Sequence, residues 1–168
     1  AGSTRTATST IMFKHLDTII PLDLKTTEGS QGRFYHVADG IKYPSITTIL
    51  GAKEKPHLSS WRESLGVEKA DKETKRCSDR GTAVHLMTER FLQNHPHPTQ
   101  GCDFNHVGEF QSLKMVLRRI NNILVQEGAL YSDILKTAGR VDCIAEFDGK
   151  LAVIDFKTST NSKNTHMI

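Results

Sequence analysis

The chain has 168 residues, 37% of them apolar and 24% charged, with a formal net charge of +3 at pH 7 and a mean hydropathy of −0.40. That length suits one domain with a real core rather than two, and no apolar run approaches the ~20 residues a membrane span requires. The three cysteines, Cys77, Cys102 and Cys143, are far apart with no C-x-x-C pair; this argues against a structural zinc or a disulfide framework and fits a reducing compartment.

Residues 1–10, AGSTRTATST, are polar or small and free of acids; 1–11 read as a disordered or appended leader, with Met12 opening a single domain over 12–168. Residues 11–50 read as extended structure. Asp39-Gly40 splits two aromatic or β-branched runs and predicts a hairpin. Pro44-Ser45 leads into a short helix over 45–50. The stretch KEKPHLSSW reads as a loop, with Ser59 or Ser60 capping a helix that starts near Trp61 and runs to about Arg76. That charged segment lies within a candidate helical arm, 57–80.

A second helix is predicted over 80–93, capped by Ser78 or Asp79, followed by the loop NHPHPTQG. A third is predicted over 105–127, because Phe110, Leu113, Leu117, Ile120 and Leu124 recur at helical spacing; Gly128 would close it. Three strands complete the pattern, over 130–135, 140–147 and 151–158.

Asp148-Gly149 between the last two strands is a two-residue hairpin signal. Such a turn makes Phe147 face Lys150, and counting back along both strands sets Asp142 opposite Asp155. Lys157 then shares the face of Asp155, because strand side chains repeat every two residues. Val141, Cys143, Ala145, Phe147, Ala152, Ile154 and Phe156 make the core face. Like charges directly opposite each other destabilise a sheet, so the pair implies a cation between them. Mg²⁺ or Mn²⁺ suits two carboxylate ligands, and a neighbouring lysine completes the equipment for metal-assisted phosphodiester hydrolysis. An exposed charge cluster is the competing reading.

A carboxylate on one strand followed by Asp-x-Lys on the next ("IDFKT") resembles the PD-(D/E)XK nuclease superfamily. With "RGTAVH" on an upstream helix, the pattern is similar to its RecB-like branch. Together with "YPSITTIL" and "LYSDILKTAGRVDCIAEFDGKLAVIDFKTS", these pieces resemble the mitochondrial genome maintenance exonucleases and related bacteriophage exonucleases over roughly residues 34–160. The resemblance implies an α/β (α+β) restriction-endonuclease-like core: a small mixed sheet flanked by helices, here truncated after the lysine strand. It implies metal ligands at His85, Asp142 and Asp155, and catalysis by Lys157 with Asp155 and Asp142. Glu127 falls where such proteins carry an acid, which would support the site or bind a second metal; a helix-terminal residue is the equal alternative.

The family's Gln-x-x-x-Tyr element after the lysine strand does not occur in SKNTHMI, and the iron–sulfur cysteine pattern of some relatives is absent. The expected activity is Mg²⁺- or Mn²⁺-dependent exonuclease action on DNA, on single strands or free ends, with no iron–sulfur cluster and no membrane partner. Candidate DNA contacts are Trp61, Arg62, Arg76, Arg80, Arg140, Thr158 and Ser159, with Lys69, Lys72 and Lys75 along the arm, a second patch at Lys114, Arg118 and Arg119, and Tyr43 as a stacking platform. The rival functions are a non-catalytic DNA-binding or assembly module and a structure-specific endonuclease. The expected location is the cytoplasm of a phage-infected bacterium, ahead of a mitochondrial matrix.

Overall fold

The computed structural model describes residues 12–16, 18–19, 22–53 and 56–158, so the leader and Ser159 lie outside it. The strands are β1 (Thr26–Gly29), β2 (Gly32–Ala38), β3 (Ile41–Pro44), β4 (Ile120–Ser132), β5 (Thr137–Phe147) and β6 (Lys150–Ile154). The helices are α1 (Ile46–Gly51), α2 (Pro56–Leu65), α3 (Val67–Leu92) and α4 (Phe104–Leu117). The result is an α+β architecture with two three-stranded antiparallel sheets, β1-β2-β3 and β4-β5-β6. Among the described residues, parallel pairing is confined to two isolated bridges, His15 with Ile123 and Ser45 with Ala138.

The two turns expected from Asp-Gly are present: Gly40 and Gly149 both adopt positive φ, and β2–β3 and β5–β6 meet across them. The short helix expected over 45–50 is α1, and Ser45 caps it, its hydroxyl accepting the Thr48 N–H at 3.0 Å. No helix among the described residues is long and apolar enough to cross a membrane.

Helix boundaries differ from the sequence reading in three places. α2 begins at Pro56 rather than near Trp61, because a proline at the first helical position gives up only an N–H that has no helical partner. Gly66, at φ 78°, breaks the chain there, and α3 then runs unbroken for 26 residues. Ser78 and Asp79 are therefore mid-helix; Asp79 pairs with Lys75 one turn back (2.6 Å) instead of capping.

The largest correction is that the third predicted helix stops at Leu117, and residues 120–132 are strand. Phe110 and Leu117 of the expected stripe are buried from α4, but Ile120 is buried from β4, and Ile123 and Val125 are buried where Leu124 was expected. β-branched residues pack better on a pleated surface than in a helix, and a bulge between Asn121 and Val125, with Asn122 at φ 45°, absorbs the change of direction. Gly128 consequently sits inside β4 and closes no helix.

One core packs α3 and α4 against the central sheet through Val84, Met87, Phe110, Leu117, Ile123 and Cys143. Ile154 and Phe156 of the predicted core face pack at its edge. A second, smaller core places Tyr35 and Tyr43 of the small sheet on Ala129 and Ala138, farther along the β4–β5 hairpin.

Candidate metal centre

The β5–β6 ladder keeps the predicted register from Phe147–Lys150 to Cys143–Ile154 and ends one pair short of Asp142 and Asp155. The reason is local: the Phe156 N–H donates to Asp142 Oδ2 at 2.7 Å, so a side chain takes the place of a ladder partner. Asp155 lies beyond β6, and Lys157 Nζ donates to its Oδ1 at 2.6 Å. Both are mostly exposed.

The carboxylate that joins Asp142 comes from the other side of β5. Gln126–Cys143 and Gly128–Val141 are paired across β4 and β5, which sets Glu127 opposite Asp142. His85, on the last third of α3, completes the group. Among the described residues, His85, Glu127 and Asp142 each offer a ligand atom, all within 4.8 Å of one another. All three are half-buried.

His85 Nε2 lies 2.6 Å from the Phe156 carbonyl oxygen. A carbonyl only accepts, so Nε2 carries the proton and, in the neutral ring, the lone pair is on Nδ1. Nδ1 is the nitrogen that faces Asp142 Oδ2, at 3.8 Å. Orientation of a ring by a carbonyl at its other nitrogen is typical of metal-binding histidines. The Phe156 ring adds an edge-on contact to His85, with centroids 6.1 Å apart. The Phe156 peptide is thus held at both ends, its C=O by His85 and its N–H by Asp142. Asp155 and Lys157 flank Phe156 along the chain.

Glu127 is strained and electrostatically uncomfortable. It sits at φ 50°, the left-handed region that a non-glycine residue adopts at a cost. Its carboxyl is held above the usual range first by burial, then by the charges of Asp142 and Glu89; Arg140 and His85 oppose this only in part. Arg140 is the nearby cation, at 3.9 Å. Two carboxylates and one imidazole lone pair with surplus negative charge fit a divalent ion that accepts oxygen and nitrogen donors.

The expected DNA contacts are scattered. Arg62 is paired with Asp71 at 2.5 Å, and Arg76 donates to both carboxylate oxygens of Glu73. Arg80 is buried against α4, with Glu109 3.8 Å away and its Nε without a hydrogen-bond partner among the described residues. Arg119 is paired with Asp148 and lies over the Phe147 ring, and Lys114 is over Phe91 and Phe110. Tyr43 cannot be the stacking platform expected of it: it is buried, and its hydroxyl donates to Asp133. Trp61 is half-buried on α2, and the Thr158 hydroxyl oxygen would be 3.7 Å from a Cβ at Gly81, an ordinary contact.

The sequence offers Glu127 equally as an accessory or second-metal acid and as a helix end; in the structure it stands in the cluster itself. Reading 120–132 as a strand paired with β5 across the 133–136 turn would have set it opposite Asp142.

The chain is similar to the mitochondrial genome maintenance exonuclease 1 of Mus musculus, 31% identical over 128 residues that make 71% of this chain and 38% of the relative. The Xenopus tropicalis protein of the same name is 30% identical over 136 residues, 76% of this chain and 39% of the relative. The Homo sapiens protein is 38% identical over 131 residues, 71% and 38% respectively. The chain thus spans about 38% of the length of the curated relatives it matches. These similarities support a relationship to nucleases. No family model matches the chain.

Proposed function

We propose that this chain is the metal-binding core of a PD-(D/E)XK-type deoxyribonuclease that hydrolyses DNA from its ends, with single-stranded DNA as substrate. The observation that carries this reading is the His85–Glu127–Asp142 cluster, with the His85 lone pair turned toward Asp142 and with Asp155 and Lys157 on either side of Phe156, whose backbone His85 and Asp142 bind; the names of the similar proteins agree with it. A divalent ion held there supplies Lewis-acid polarisation of a phosphoryl oxygen and acidifies water. His85 Nδ1, Glu127 and Asp142 would hold it, with Asp155 as the added ligand once its carboxylate turns from Lys157. The imidazole in this set favours Mn²⁺ over Mg²⁺. Lys157 then donates to a phosphate oxygen and stabilises the charge that grows there. Arg140, on the same strand as Asp142, offers a further phosphate contact.

The reading predicts digestion of 5′- and 3′-labelled single-stranded DNA with Mn²⁺ or Mg²⁺, none in EDTA, and a loss on the order of 10³-fold with Lys157→Ala or Asp142→Asn. Covalently closed circles should survive. No cleavage by the wild type under any metal, including in a longer chain, would reject it. The second reading, a DNA-binding module that does not cut, is favoured by the Asp155–Lys157 ion pair, which occupies both groups with each other. It predicts DNA binding that neither substitution changes and no cleavage. A reducing compartment, cytoplasmic or mitochondrial, belongs to the same proposal.

A further inference from the structure

The hairpin that carries Glu127 and Asp142 runs on to a four-residue turn, 133–136, whose middle residues are apolar. Ile134 is 93% exposed and Leu135 72%. Turns ordinarily carry polar residues and glycine, yet this one is fixed in place by a network around Tyr43. The Tyr43 hydroxyl donates to Asp133 Oδ1 at 2.6 Å, and Lys136 Nζ donates to the same hydroxyl at 3.2 Å while lying 5.4 Å over the ring. The Leu135 N–H donates to the Ser132 hydroxyl at 3.2 Å. Tyr43 is buried in the smaller core, so the clamp is anchored in the fold. These bonds fix the turn that carries Ile134 and Leu135 without covering the two side chains.

We propose that Ile134 and Leu135 form a wedge that enters the base stack where single-stranded DNA meets duplex. The choice of DNA as partner rests on the nuclease reading above. Aliphatic side chains pushed between bases unstack them, and the cost of unstacking requires a mount that does not yield. The Tyr43 clamp is such a mount. Charge agrees with this partner: Asp133 and Lys136 offset each other at Tyr43, while Arg140, its side chain 59% exposed, puts a cation on the hairpin between turn and cluster. Five ladder steps separate the Glu127–Asp142 level from Ser132–Thr137, about 17 Å of strand. The wedge therefore opens the duplex ahead of the site.

The test uses the full chain on a forked DNA with 2-aminopurine at the first base pair, with Ca²⁺ in place of Mg²⁺ so that cutting does not interfere. Fluorescence should rise with the wild type. With Ile134→Ser/Leu135→Ser the rise should fall about tenfold, as expected when the unstacking element is gone, with affinity for single-stranded DNA unchanged. If the double variant loses its melting transition, Ile134→Ser alone carries the same comparison. A variant that raises fluorescence like the wild type, or a wild type that binds the fork without raising it, overturns the wedge. So does loss of single-strand affinity in parallel, which marks a general contact. A wedge signal with no Mg²⁺-dependent digestion of single strands sinks the nuclease reading and leaves the wedge standing; no DNA binding at all sinks both.

Discussion

The two ends of α3 treat charge in opposite ways. In its first half and along α2, cations meet acids: Arg62 with Asp71, Arg76 with Glu73, Lys75 with Asp79. At its other end, His85 faces Glu127 and Asp142, and the nearest full cation, Arg140, is 3.9 Å from Glu127. Exposed ion pairs are a low-energy arrangement that contributes little. Facing carboxylates in a half-buried site are not, and a fold that keeps them has a use for a cation there. The arm accordingly loses weight as a DNA-binding surface, and the hairpin gains it.

The largest effect expected from this contrast is at the cluster. His85→Ala or Asp142→Asn should lower metal-dependent cleavage on the order of 10³-fold. Both should also lose the stabilisation by Mn²⁺, which at a hundred times Kd is about 2.7 kcal/mol and is read from melting with and without metal. In the arm, by comparison, Arg62→Ala and Arg76→Ala should hardly change DNA affinity, because their charges already have partners. Lys69→Ala and Lys72→Ala should lower the salt slope of binding by about one each where they meet phosphate. A large loss with the paired arginines would break the comparison.

A smaller effect concerns pH. The Glu127 carboxyl is raised in the folded state, so its protonated form is the stabilising one. That contribution is complete below the ordinary glutamate value and is lost as pH rises through the raised one. In EDTA, Glu127→Gln should therefore melt higher than the wild type at neutral pH, by about 2 °C, and the two should converge in acid. With Mn²⁺ the order reverses. The smallest expectation is at Cys143, whose thiol burial pushes up to about 11. Alkylation at mild alkaline pH should label the half-exposed Cys77 and Cys102 and spare Cys143 until the chain unfolds.

What could be read in the sequence divides along the same line. The β5–β6 register was legible because Asp148-Gly149 fixes a turn, and a turn fixes every pair behind it. The short helix after Pro44 and the Asp39-Gly40 hairpin were legible for the same local reason. Glu127 was not, because Leu117 and Ile120 continue the helical spacing of α4 into β4, and nothing local stops it. The switch is settled by burial of Ile123 in the core shared with α3 and α4, a tertiary effect. The unbroken length of α3 was missed for the converse reason: Ser78 and Asp79 resemble a cap but sit where the helix has no need of one.

The most direct measurement is a calorimetric titration of Mn²⁺ into the wild type and Glu127→Gln. The account predicts binding by the wild type that is lost or greatly weakened in the variant, since Glu127 supplies one of the three clustered ligands. Equal binding by both would contradict it and return the metal to Asp155, across from Asp142, where the sequence alone had put it.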